Sequence, residues 1–525
     1  MPTHDIVVAG AGHNSLITAA YAARCGFDVG IIEARETIGG DTATEELTQP
    51  GFKHDSCSTA HNLIQASPTI KDDELELFDT YGLEYIRPDP VVTIPFDDGT
   101  SLTMWRDRER TAAEFAKFSE ADAQAYLDLL DDYAEIAPYY TRARYSPPSE
   151  GTIPETLAEA PDGEAWIRRS LESPLDILER RFEHPKTRAF LAWMAFMTIK
   201  PIDRPGGGLR AFSLTYGRQK NSWVLPRGGS AALPEALESC LLDHGATVYT
   251  DQPVVEFLVE DGTAVGVESA DGTAYRATEA VVSTVHVTDL VDMIPEADLP
   301  EAFADGVKNW KAGLSMFAAH YAAEEPPRYR TEEGDLESVA MGTVGSVENL
   351  LDATVAFEKG EIHLDNPFIL SLCPSVADDT RAPEGKHTYK LVGVFPYDHA
   401  DGPETWDERK EAVADALLEH LRSHAPNFTE DVVIDSYVES PLDLERRNPH
   451  NYRGSCHGGD YTPDQYDDRR PAAGFSDYRG PVDGLYLTGA CTHPGGSVSG
   501  APGRNCATVL LEDLGPGLEA GIAKQ

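Results

Sequence analysis

Residues 4–40, HDIVVAGAGHNSLITAAYAARCGFDVGIIEARETIGG, leave the chain little topological freedom. Ile6, Val7, Val8 and Ala9 form an apolar run of the length of a buried strand. Gly10-Ala11-Gly12 strips side chains from the turn that follows, Leu16, Ala19, Ala20 and Ala23 recur at helical spacing, and Gly26 ends the helix. Val29, Ile31 and Ile32 predict a second strand that stops at Glu33. In such a strand–turn–helix–strand unit the glycines let a pyrophosphate approach the backbone. It meets a helix N-terminus whose free N–H groups and dipole favour an anion. Glu33 lies 21 residues after Gly12, where a carboxylate accepts hydrogen bonds from a ribose diol. Ser15 stands at the third position of the GxGxxG pattern, and it is small enough for close helix–strand packing. The unit predicts dinucleotide binding.

At 525 residues the chain is long enough for more than one core. Between 66 and 215 it is helical and charged, and TRAFLAWMAFMTIKP (187–201) is its most apolar run. About ten apolar residues are too few to span a bilayer. The run reads as a buried core helix or as a wall of an apolar substrate pocket. From NSWVLPRGGSAALPEAL onward the α/β pattern returns. A helix is expected from about Ala232 to His244, then strands with Asp-Gly turns at 261–262 and 271–272. Residues 290–445 read as a mixed sheet-and-helix excursion. GLYLTGACTHPGGSVSGAPGRNCATVLLEDL (484–514) reads as strand, glycine-rich turn and helix. The expected organisation is a Rossmann-like α/β dinucleotide-binding domain made of 1–65, 216–289 and 480–525, with a mixed α+β substrate domain from 66–215 and 290–479.

Charge narrows the partners. Eighty-nine acidic residues face 43 basic ones, of which 13 are lysine, for a formal net charge of −46. A dispersed, lysine-poor acidic surface stays hydrated when salt screens its self-repulsion. It reads as a halophilic adaptation. Nucleic acid, which needs a basic stripe, is disfavoured. Seven scattered cysteines without a CxxC pair argue for a reducing compartment and against structural zinc. With no signal-peptide pattern at Met1, a cytoplasmic location is expected.

Together, GAGHNSL...GFDVGIIEA...IGG, PRGGSAALPEAL and ERRNPHNYRG...DQYDDRRP...YRGPVDGLYLTGACTHPGGSVSGAPGRN resemble the phytoene desaturase-like family of FAD-dependent oxidoreductases. The resemblance runs the length of the chain and is sharp in the cofactor segments. Ser15 in place of glycine departs from the pattern, and so does Gly489-Ala490 from the Gly-Glu pair of amine oxidases. The resemblance implies non-covalent FAD. By position its contacts would be Gly10, Gly12, Asn14, Ser15, Glu33, Ala34, Arg35, Gly40, Asp41, Val255, Gly489, Ser497, Val498 and Ser499.

In such an enzyme the flavin carries the redox step and the protein binds, orients and polarises. Polar candidates near the cofactor segments are His61, Tyr452, Arg453, His457, His493 and Arg504. Of these His493, His61 and Arg504 are the candidate catalytic residues, His493 because its turn is expected to pass the flavin ring. There is no HExxH, no GxSxG and no metal-ligand spacing, so no metal is expected. Three functions remain open: a desaturase or dehydrogenase acting on an unsaturated or alicyclic apolar molecule by hydride transfer to flavin N5; an isomerase or hydratase with no net redox change; and a flavin-binding protein for interaction or redox sensing. The first needs an electron acceptor such as oxygen or a quinone. Peripheral membrane contact is compatible with all three.

Overall fold

In the computed structural model, which describes residues 1–522, the N-terminal unit forms strand β1 (Thr3–Ala9), helix α1 (His13–Arg24) and strand β2 (Val29–Ile32). The last three positions of the expected segment 480–525 lie outside the described residues. β1 and β2 pair in parallel, Ile6 opposite Val29 and Ala9 opposite Ile32. Strand Thr247–Tyr249 adds to β2, and strand Ala274–Ser283 pairs with the other edge of β1. Leu485–Leu487 lies parallel to the end of that long strand, whose first half continues into the antiparallel meander Val254–Glu260 and Thr263–Ser269. The result is one seven-stranded sheet.

Alternation along β1 sorts its two faces. Ile6 and Val8 pack with Leu16, Ala20 and Leu510, whereas Val7 and Ala9 pack with Phe257 and Val267. Helix Ala501–Leu514 lies tight against α1. A Cβ on Gly503 would stand 2.3 Å from the Asn14 carbonyl oxygen, and the Thr18 hydroxyl donates to the Gly503 carbonyl at 2.8 Å. This contact joins the helices that follow the first and last strands of the sheet in chain order and sets the glycine turn beside the C-terminal loop.

The chain leaves this sheet after β2 and after Ser283 to build a second one. Its strand order is Val433–Glu439, Met316–Ala323, His387–Val394, Ile369–Leu372, Ala340–Thr343, Val92–Pro95, Ser101–Met104. The last two come from the stretch that reads as helical in the sequence; they are short strands with few alternations that precede its long amphipathic helices. The helices Glu120–Arg144, Pro185–Phe196 and Leu209–Asn221 cover one face of this sheet. Ala189 to Phe196 are all essentially buried. Gly342 lets Trp193 reach the sheet: a Cβ there would meet the indole at 2.2 Å, and Trp193 Nε1 donates to the Ile369 carbonyl at 3.1 Å. The apolar run is therefore a core helix, and only Met197, Thr198 and Ile199 beyond its end reach the cavity described next. Helix Trp406–His424 covers the opposite face, against Phe317, Tyr389 and Leu391. Among the described residues no helix is long and apolar enough to cross a membrane.

Candidate active site

A cavity of about 430 Å³ lies between the ends of the first sheet's strands and one face of the second sheet. Its first end is the turn after β1. Gly10 has φ +94°, and a Cβ there would stand 2.4 Å from Thr284 Cγ2, so only glycine passes. Gly12, the residue before α1, has ordinary backbone angles and open space where a Cβ would be. Backbone, not side chain, therefore faces the cavity at the start of the helix. Glu33 braces this turn: one carboxylate oxygen accepts from the Ala11 N–H at 2.7 Å and the other from the Arg35 N–H at 3.0 Å. Arg35 in turn donates to the Gly40 carbonyl at 2.9 Å, and Gly39 N–H donates to the Ala11 carbonyl at 2.8 Å. Two buried polar atoms at this end, His13 Nε2 and Asn14 Oδ1, have no protein partner. An open cradle over Gly12, a carboxylate at the end of β2 and unsatisfied polar atoms fit a bound dinucleotide.

Midway, Asp41 accepts from the Asn448 and Asn451 amides at 2.9 and 3.0 Å. Burial drives His13 down to about 4 and also lowers His450, in each case against the pull of the Asp41 carboxylate. Both imidazoles are neutral at pH 7, and His450 Nδ1 donates to the Thr284 carbonyl at 3.0 Å. Cys57, Cys456 and His457 line the same stretch.

The far end is apolar. Met316, Leu370, Leu372 and Val392 belong to three neighbouring strands of the second sheet and share one face, opposite Phe317, Ile369 and Leu391. Met197, Leu214 and Trp223 close over them. The Arg218 guanidinium carbon sits over Trp223, 3.6 Å from the ring centre, and the guanidinium donates to Asn62. Burial lowers it to about 9, so it remains a cation at neutral pH.

Of the residues singled out from sequence, Gly10, Gly12, Asn14, Glu33, Ala34, Arg35, Gly40, Asp41, Gly489, Ser497 and Val498 line the cavity. Three others face elsewhere. Val255 is 46% exposed, because strand alternation turns its neighbour Val254 to the cavity instead. The Ser15 hydroxyl folds back onto the Gly10 and Gly12 carbonyls at 2.7 and 2.9 Å. Ser499 is buried, its hydroxyl accepting from the Ala501 N–H at 3.3 Å.

The three candidate catalytic side chains also lie outside the cavity lining. His493 is fully buried, with Nε2 donating to the Ala143 carbonyl at 2.9 Å and Nδ1 3.5 Å from Asp467; burial lowers it to about 4. It ties the glycine-rich loop to the end of the long helix. His61 bonds to Ser230 at 2.8 Å and Tyr85 at 3.3 Å, and burial lowers it to about 3. Arg504 is paired with Glu74. His457, a further polar candidate, does reach the cavity, and His13 and His450 reach it although neither stands out in the sequence. The position of His13 directly after the turn glycine is the one local signal that points to it.

Residues 16–510 match the family described as flavin containing amine oxidoreductase. A limonene dehydrogenase chain of Castellaniella defragrans is 31% identical over 97% of this chain and 95% of its own. Carotenoid 3,4-desaturase of Haloarcula japonica is 25% identical over 97% of this chain and 98% of its own. Among solved structures, an oxidoreductase of Methanosarcina mazei superposes with a TM-score of 0.59 at 16% identity, covering 98% of this chain and all of the other.

Proposed function

Because the chain belongs to the flavin-containing amine oxidoreductase family, as a phytoene desaturase-like member, we propose that this FAD-dependent oxidoreductase dehydrogenates an unsaturated or alicyclic apolar molecule. The observation that carries the reading is the continuity of one cavity from the dinucleotide turn to the apolar face of the second sheet. FAD bound in this cavity would supply the hydride acceptor. The turn Gly10–Asn14 would receive the pyrophosphate, and Glu33 the ribose diol, using the lone pairs left beside the Ala11 and Arg35 N–H groups. Asp41, Gly40, Gly489, Ser497 and Val498 would border the rest of the cofactor.

Met316, Leu370, Leu372 and Val392 would hold the substrate by burial alone, each being almost fully buried in the fold. They offer no hydrogen-bonding side chain, which favours hydrocarbon over amine. The neutral imidazoles of His13 and His450 add no positive charge that would repel a carbon centre losing a hydride. A relative named for limonene, a small cyclic alkene, and another named for a carotenoid bracket the size range. The electrons removed must pass to an acceptor, such as oxygen or a quinone.

The test is an anaerobic absorption spectrum of the purified flavoprotein while limonene or a carotenoid is added. Bleaching of the oxidised flavin band by either compound, with a product two hydrogens poorer, is the expected result. Product that forms only after chemical reduction of the flavin, and without stoichiometric acceptor, would replace dehydrogenation by isomerisation or hydration.

A further inference from the structure

Arg218 is a buried cation without a counter-ion. It belongs to helix Leu209–Asn221, lines the apolar end of the cavity and is 9% exposed. Three neighbours that also line the cavity hold its guanidinium in place. The guanidinium carbon is 3.6 Å from the Trp223 ring centre, Nη1 donates to Asn62 Oδ1, and Nη2 meets the Met197 thioether sulfur at 3.9 Å. Asn62 is itself fixed. Its amide nitrogen donates to the Ser222 carbonyl at 2.6 Å, and its Oδ1 also accepts from the Val224 N–H at 3.3 Å. None of these partners carries a negative charge. Among the described residues Arg218 forms no ion pair, in a chain with 89 acidic residues.

The carboxylates that line the cavity belong to its other end. Glu33 accepts from Ala11 and Arg35, and Asp41 accepts from Asn448 and Asn451. Asp289 belongs to helix Val287–Met293, which packs on the first sheet through Val287 and Leu290. A charge taken out of water is costly unless an opposite charge meets it. The planar fork of arginine suits a carboxylate, which it can engage with two parallel N–H groups. Here one oxygen and one weakly accepting sulfur use only part of that fork. A protonated amine would be repelled at the same point.

We propose that Arg218 recognises a carboxylate on the substrate, which is an unsaturated or alicyclic acid. Its hydrocarbon part would lie on Met316, Leu370, Leu372 and Val392, and its carboxylate would pair with the guanidinium beside Trp223. The inference rests on reading this chamber as the substrate site and narrows the substrate class within it. It also supplies what the apolar floor lacks. Burial is non-directional, whereas an ion pair at one end gives the molecule a single orientation.

The experiment compares limonene with perillate, the same cyclic diene bearing a carboxylate, as ligands of the purified holoenzyme. Binding is read anaerobically from perturbation of the flavin spectrum, and stability from thermal unfolding. Perillate should bind at least about tenfold more tightly than limonene. Arg218→Met keeps an unbranched side chain against Trp223 and should erase that preference while leaving limonene affinity within about twofold. It should also raise the unfolding midpoint of the ligand-free protein, because the unpaired charge is gone. Asn62→Asp sets a carboxylate against the guanidinium from within the protein and should erase the preference as well, with Arg218 still in place. Equal affinity of the two ligands for the unaltered protein, or a preference for perillate that survives in Arg218→Met, would overturn the proposal. Loss of FAD from a folded Arg218→Met protein would also overturn it, by assigning the guanidinium to the cofactor. If limonene bleaches the flavin and perillate has no advantage, the dehydrogenase reading stands and the carboxylate site falls. Preferred binding of perillate without bleaching upholds the carboxylate site and counts against dehydrogenation. Binding of neither ligand overturns both.

Discussion

Arg504 and Glu74 form a two-pronged ion pair, with Nε and Nη2 each donating to one carboxylate oxygen at 2.8 Å. Tyr21 donates to the same carboxylate, so α1, the C-terminal helix and the loop around residue 74 meet at one charged knot beneath the first sheet. This is why Arg504 is absent from the cavity: its charge is committed to a carboxylate whose side chain is 9% exposed.

Arg504→Met should destabilise the protein by about 3–5 kcal/mol, since it strands a buried carboxylate. Adding Glu74→Leu should recover most of that loss. Bound flavin should remain near one per chain in both variants at temperatures where they are folded. Denaturant unfolding with flavin absorbance as a second readout checks both parts. Loss of turnover in a folded, flavin-replete Arg504→Met enzyme would instead return Arg504 to the chemistry.

The two turn glycines should separate folding from binding. Gly10→Ala forces a side chain to φ +94° against Thr284, and the left-handed strain alone costs about 1–3 kcal/mol. Gly12→Ala meets nothing within 4 Å, so its folding penalty should stay near 1 kcal/mol. Its methyl group nevertheless fills the backbone cradle, and the FAD dissociation constant should rise at least about tenfold. Calorimetry and flavin titration on the same samples distinguish the two effects.

Glu33→Gln removes a charged acceptor while leaving its shape. Hydrogen bonds to a charged group contribute about 1.5–3 kcal/mol, so FAD affinity should fall roughly 10- to 100-fold. Glu33→Arg places a cation where the diol donates and should yield folded protein without bound flavin. A yellow, fully loaded Glu33→Arg protein would disprove the ribose contact.

Acid should destabilise the fold through its buried imidazoles. His61 and His493 are held neutral, at about 3 and about 4, against an ordinary value of 6.5. The unfolded chain therefore binds more protons than the folded one below pH 6.5. Stability from these groups is fully present above that pH and is lost as the pH falls toward 4. Asp467, raised to about 6 by burial, acts in the opposite sense and takes stability away as the pH rises from 3.8 to 6. His493→Gln should flatten the acid limb by up to about 1.4 kcal/mol per pH unit, measured by denaturant unfolding between pH 4.5 and 7.5. An unchanged slope would mean that His493 is already solvated or charged in the native state.

The α/β cofactor fold and its flavin were legible in residues 4–40 because everything that unit needs is local. The strand, glycine turn, helix and acid are within one turn or crossover of each other, and periodicity reads such distances directly. The C-terminal strand–loop–helix was legible for the same reason. What tertiary structure alone decided is which side chains meet across long sequence separations. Val254 rather than Val255 faces the cavity because the register of an edge strand is set by its partners, and a one-residue slip exchanges the two faces. His493 and His61 look like proton carriers in sequence, but Ala143, Ser230 and Tyr85 claim their ring nitrogens in the fold. The apolar floor is assembled from Met316, Leu370 and Val392, which become one surface only when three strands align. Local propensity writes elements into a sequence; the partners of a buried polar atom are chosen by packing, which a linear pattern does not encode.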